Sequence, residues 1–383
     1  MRAFAFVIAL SLATAAAAQS APQTISELAD GLQRIQVRMA QGDKTAYPEQ
    51  QKQLKAMGAA IAGAAPKTWT NAREADALAI YILSGGAPAE LAALLSGDAI
   101  AESRRALARG AAAYIAGHSA EAAELLGKID PTAFPPRDAG QVAFARSVIA
   151  TKRDPKAAVA FLDWARLIAA GTLVEEAALR REIALLAESQ DTPRAAMLIR
   201  QYAARFATSL YAADFFRDLA RLAAEFSLAD EPTDSERLAK ALSPLNAETK
   251  RVFWLALAKT LTINGRPGPA VAAAKEALRY VRVDSEEGWR VRLYLGAGRL
   301  LSGEYAAAVA DLQAFPPAKL DRSDAALLAY IRGVAAQLRA APGPAAIAAQ
   351  GDAAGGAKEA GSAIGLAEEA LKRTADLMEA RAP

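Results

Sequence analysis

The sequence contains no cysteine and a single histidine, and these two absences exclude more chemistry than any feature present. No disulfide framework, iron–sulfur cluster or thiol nucleophile can be built, and neither can a zinc site of the usual Cys/His kind. A Ser-His-Asp triad would have to run through His118, and no GxSxG elbow accompanies it. Aromatic residues are scarce, at 6%. An excess of one charge is also missing. Lys and Arg number 45 against 42 Asp and Glu, a formal net charge of +3, which gives no electrostatic footprint for a nucleic acid. Phosphate-cradling loops are absent, since Gly355-Gly356 precedes no lysine–threonine pair.

Alanine is what the chain has in abundance, with 101 of 383 residues. It is the best helix former and a poor strand former, so the composition predicts an all-α protein. The first 18 residues read as a secretory signal: Arg2 is a short basic start, Phe4 to Leu12 an apolar run, and Ala16-Ala17-Ala18 a small-residue cleavage site before Gln19. Later apolar stretches are too short to span a bilayer, and Val252 to Leu261, the best of them, is interrupted by Lys259. The expectation is a mature protein soluble in the periplasm.

Chain breakers recur along the middle of the sequence. Gly86, Gly117, Asp154, Asp191, a turn-rich stretch near Leu228, Gly265 and Gly303 follow one another at roughly 37 residues. A period of that length in purely helical pattern implies a solenoid of helix–turn–helix, tetratricopeptide-like repeats, because each hairpin buries one face only by stacking on its neighbours. Residues 71–339 hold about seven such hairpins at that spacing. Small residues follow the tetratricopeptide pattern in three places: Gly110 with Ala122 and Leu126, Ala258 with Gly265 and Ala270, and Gly296 with Gly303 and Ala308.

Helix starts are marked by Asp154-Pro155 and Thr192-Pro193, each a capping residue followed by proline. Thr24 with Glu27, Asn71 with Glu74, Thr172 with Glu175 and Thr233 with Glu236 have capping-box spacing. Around the repeats, residues 19–70 predict two opening helices separated by the turn Gln41 to Tyr47. Residues 340–365 predict a Pro/Gly/Ala-rich linker with too little apolar bulk to offset ordering entropy. Residues 366–383 resume helix.

Chemistry-bearing residues are few. His118 reads as a solvated turn residue. Glu175-Glu176 followed by Arg180-Arg181 is the densest charge pattern. Its expected role is structural, with Glu175 as the capping partner of Thr172 and Glu176 paired with Arg180 four residues on along a helix surface. Adjacent carboxylates point about 100° apart on a helix and cannot flank one bond. Arg279, Arg282, Arg290, Arg292 and Arg299 could line an anion site, but Asp284, Glu286 and Glu287 lie among them and predict a salt-bridged, solvated face. Trp164, Trp254 and Trp289 read as core between hairpins, with one a possible binding anchor. No catalytic residue, metal ligand or cofactor is assigned, and no partner-binding residue is singled out.

Four segments carry a family resemblance: DALAIYILSGGAPAELAALL from Asp76, GTLVEEAALRREIALLAE from Gly171, RQYAARFATSLYAADFF from Arg200 and LDRSDAALLAYIRGVA from Leu320. Taken in order they resemble the alphaproteobacterial motility proteins of the MotC family. The resemblance implies a non-enzymatic periplasmic protein required for flagellar rotation, acting with the periplasmic part of the stator protein MotB. The low-complexity tail departs from it. Two other readings remain: a scaffold for cell-envelope assembly that shares the solenoid, and a peptidoglycan-cleaving enzyme, for which the repeats and linker leave no residues to form a lysozyme-like domain.

Overall fold

The computed structural model describes residues 23–340 apart from 88–90, 231 and 314–319. The expected signal segment, the linker beyond Ala340 and the C-terminal helix lie outside the described residues. Among the described residues every regular element is helical. The chain opens with α1 (Ile25–Ala40), α2 (Ala46–Ala62), a 3-10 turn, α3 (Ala72–Leu83) and the single turn α4 (Ala92–Ser96). Paired helices follow: α5 (Glu102–Ile115) with α6 (Ser119–Gly127), α7 (Pro136–Ala150) with α8 (Pro155–Ile168), and α9 (Leu173–Glu188) with α10 (Thr192–Arg205). Three more pairs are α11 (Ala212–Glu225) with α12 (Pro232–Ala241), α13 (Ala247–Ile263) with α14 (Pro267–Leu278), and α15 (Glu286–Leu301) with α16 (Tyr305–Gln313). The helix α17 (Arg322–Ala340) ends the described chain.

The sequence period has a backbone cause. Gly42, Gly85, Gly117, Gln190, Ser227, Gly265 and Gly303 have positive φ. In each case the next residue's N–H reaches back five residues, as in His118 N to Ala113 O, Asp191 N to Leu186 O and Arg266 N to Leu261 O. This is one helix-terminating motif, used repeatedly to satisfy the last carbonyls and reverse the chain. Gln190 and Ser227 hold the left-handed conformation without being glycine, at φ 60° and 63°, which is why a search for glycines alone finds the turns unevenly. At the Asp154 turn no positive φ is needed, and the Asp154 side chain instead accepts from Ala157 N.

Several helix starts differ from expectation by local detail. Thr24 and Glu27 form the full reciprocal capping box. Asp191, not Thr192, caps α10, accepting from Arg194 N, so Thr192 is already helical. Helix α12 starts at Pro232, which places Thr233 inside it. Asn71 caps α3 through Arg73 N, but Glu74 does not close the box. Its carboxylate turns to Ser26, whose N–H and hydroxyl donate to it at 3.1 and 2.5 Å. A cross-helix acceptor wins there over a local one.

Each hairpin packs on the next through its first helix: α3 on α5, α5 on α7, and so on through α15 on α17. The second helices α10, α12 and α14 also pack on one another in order. Small residues set the spacing, since a Cβ at Gly110 would lie 2.6 Å from Leu126 and one at Gly296 would lie 3.1 Å from Leu312. The stack is not simply open. Helix α1 packs on α3, α3 on α7, α7 on α9, and α9 returns to touch α1, so the first half of the array closes into a circuit. Ala40 accordingly belongs to the core of the second half, with Leu179, Ile183 and Tyr202.

Candidate interaction surface

Helix α1 divides its residues between two faces. Ile25, Leu28, Ala29 and Leu32 are buried in the core that it shares with α2 and α3. Asp30, Gln33, Arg34 and Val37, at i, i+3, i+4 and i+7, form a second stripe. This stripe is one wall of a cavity of about 430 Å³, and Gln141 of α7 with Thr172 and Val174 at the start of α9 forms the other. That volume lies within the roughly 300–1,000 Å³ typical of ligand sites. The walls are held together by the circuit. Leu210 N donates to Met39 O at 3.4 Å, Thr208 Oγ1 donates to Gln41 O at 3.2 Å, and Gln36 Nε2 donates to Ser84 Oγ at 3.2 Å.

The cavity lining is polar but nearly neutral. Arg34 is the one cation and Asp30 the one anion among its described wall residues, and Asp30 faces Arg73 at 3.8 Å. Gln141 is only 9% exposed, and its Oε1 has no hydrogen-bond partner among the described residues. Most buried side-chain polar atoms are satisfied, which sets this one apart. Sequence reasoning picked out Thr172 as a helix cap and passed over the others. The α1 stripe is visible as a polar helical face at the proper spacing, whereas nothing local marks Gln141 among the other residues of α7.

Behind this wall, α9 carries three carboxylates, of which Glu176 was expected on the helix surface, Glu175 as a capping partner, and Glu182 was not singled out. Glu175, Glu176 and Glu182 are all essentially buried. Glu175 accepts from Gly171 N at 2.5 Å, Gln201 Nε2 at 3.1 Å and Arg205 at 2.9 Å. Thr172 does cap the helix, accepting from Val174 N and Glu175 N. Glu176 is not the partner of Arg180 in a surface pair. It accepts from the Tyr202 hydroxyl at 2.7 Å and the Ser209 hydroxyl at 2.8 Å, and burial raises its pKa against those bonds. Glu182 lies between Arg166 at 3.3 Å and Arg194 at 2.8 Å. Asp163 binds the same two guanidinium groups at 2.6 and 2.5 Å. Burial and the Asp163 charge push Glu182 up to about 7 despite both arginines. Each carboxylate thus ties α9 to α8 or α10, and the adjacent pair diverges to different partners.

The remaining residues of interest do not converge. His118 has a 69% exposed side chain, 3.8 Å from Glu121. Three of the five arginines singled out around α15 face acids, though not those expected from sequence. Arg279 pairs with Glu276 at 2.9 Å, Arg290 with the buried Asp324 at 2.7 Å, and Arg299 faces Glu304 at 3.6 Å. Glu287 instead pairs with Arg251 of α13. Arg292 lies over the Trp289 ring, 5.0 Å from its centroid. Trp254 is buried core, and Trp164 and Trp289 are partly buried. Among the described residues no three His, Asp or Glu side chains are grouped to hold a metal ion, and no helix is long and apolar enough to cross a membrane.

Comparison with known proteins agrees along nearly the whole chain. The profile of the family described as "Chemotaxis protein MotC" matches residues 1–382. A protein of Rhizobium meliloti (strain 1021) bearing that same description is 29% identical over 337 residues, which covers 88% of this chain and 77% of that protein. No solved structure matches.

Proposed function

Because this chain belongs to the MotC family of chemotaxis proteins, we propose that it is a periplasmic, non-enzymatic motility protein that acts by binding the periplasmic part of the stator protein MotB. Family membership over residues 1–382 carries this reading. The arrangement of the fold supports it in two ways. A stack of hairpins presents extended side surfaces of the kind that repeat proteins use for binding, and the buried carboxylates of α9 are committed to partners on neighbouring helices. The basic residue Arg2 and the apolar run from Phe4 to Leu12 support export.

The reading predicts that a strain lacking this gene builds complete filaments that do not turn, and that purified chain from Gln19 onward binds the periplasmic fragment of MotB without metal or cofactor. With a net charge near zero, binding should depend weakly on salt and strongly on a few buried anchors. Electron microscopy of filaments, swimming assays and titration of the two purified proteins check these outcomes. Absence of filaments would assign the protein to assembly of the cell envelope, and normal swimming would remove the motility reading.

A further inference from the structure

We propose that the cavity between α1, α7 and α9 is a binding site for an uncharged, extended peptide segment, with the Gln141 carboxamide oxygen accepting a backbone N–H. The assignment concerns the site and the chemistry it takes. It holds whichever protein supplies the segment, and so does not rest on the stator reading above.

Three observations converge on it. The first is Gln141 itself, a wall residue 9% exposed with an acceptor oxygen that no group among the described residues satisfies. A buried acceptor left without a donor is costly, and the terminal torsion of glutamine is soft enough to turn its amide toward an incoming donor. The second is the kind of polar group in the walls. Gln33, Gln36 and Gln141 are all carboxamides, and a carboxamide offers one acceptor and a pair of donors, the complement of a peptide unit. Backbone hydrogen bonds of this sort supply affinity in extended-peptide recognition, while neighbouring pockets read side chains.

The third is charge. With Arg34 a single cation among the described wall residues, the lining lacks the clustered cations that a phosphate or a polyanion would call for. Val37 and Val174 add apolar surface, and no aromatic ring lines the walls to stack against a sugar.

The test uses the purified full-length mature protein and the capped peptide acetyl-trialanine amide, which carries backbone amides and no charge. Ligand-observed NMR and calorimetry should show saturable binding. Gln141→Leu, which keeps the volume and removes the acceptor, should weaken it about tenfold. Val37→Trp, which fills the cavity from the opposite wall, should abolish it while helical content and melting are kept. Should either variant fail to fold, Gln33→Ala on the more open part of the wall takes its place, with a severalfold loss expected. No saturation up to the solubility limit of the peptide would overturn the proposal and leave water as the partner of Gln141. Binding unchanged in the variants would place the peptide elsewhere and overturn it as well. So would preferential saturation by N-acetylglucosamine, which would make the cavity a glycan site.

Discussion

Glu182 is the residue at which burial and charge compete most openly. Two arginines lie within ion-pair distance, yet the side chain is fully buried and shares those arginines with Asp163. Its pKa is accordingly pushed up to about 7, from an ordinary value of 4.5. A carboxyl whose pKa is raised on folding binds its proton more tightly in the native state. Its contribution is therefore most favourable below the unfolded pKa and is lost as pH rises toward the folded one. Asp76, raised to about 6 by burial beside Arg104, has the same sign. We expect Glu182→Gln to become less destabilising relative to the native protein between about pH 4.5 and pH 7, by at most about 3 kcal/mol. Chemical denaturation across that range checks it, and a constant difference would mean that Glu182 ionises normally. The charge pattern on α9 was plain in the sequence, but its burial was not. Sequence spacing shows what lies four residues away on the same helix, whereas Tyr202 and Arg194 come from α10 and Ser209 from the loop that follows it.

At the level of helices, the packing of pairs depends on a few small residues. Gly110 of α5 lies where a Cβ would come within 2.6 Å of the buried Leu126 of α6. Alanine there gains up to about 1 kcal/mol of helix propensity, but overpacking a filled core costs typically about 1–3 kcal/mol. Gly110→Ala should therefore destabilise the protein despite its better propensity. Gly333→Ala in α17, where no atom of the described residues lies within 4 Å, should stabilise it by up to about 1 kcal/mol. Thermal unfolding of the two variants decides the matter, and shifts of the same sign would contradict this account. Helix class and hairpin period were legible in advance because each rests on local signals: alanine content, caps and the repeated terminating turn. Boundaries slipped by one residue where two capping residues stand side by side, as at Asp191-Thr192. Capping boxes failed where a carboxylate found a better donor on another helix, as Glu74 did at Ser26.

For the molecule as a whole, the consequential feature is the one furthest from local sequence, namely the return of α9 to α1. A period of about 37 residues predicts a stack, but the superhelical curvature that brings residues 39–42 against 208–210 is the sum of small rotations between hairpins, which no single motif encodes. The cavity exists only because of that return, so its residues could be seen as a polar stripe on α1 but not as one wall of a site. Gly42 lies at the contact. Its φ of 93° is unfavourable for any side chain, and a Cβ would overlap the Thr208 carbonyl. Both effects oppose a larger residue, so Gly42→Ala should detach the α1–α2 hairpin from the loop between α10 and α11 without unfolding the later hairpins. Each hairpin of a repeat array draws its stability from its own packing and that of its neighbours, and α13 to α15 lie several hairpins away. Hydrogen exchange should therefore quicken across α1 and α2 while protection in α13 and α15 is kept. Uniform loss of protection would mean that the circuit is needed for the whole fold. Unchanged exchange in α1 would mean that the contact at Gly42 does not hold the circuit closed, and peptide binding in the cavity should survive the substitution in that case alone.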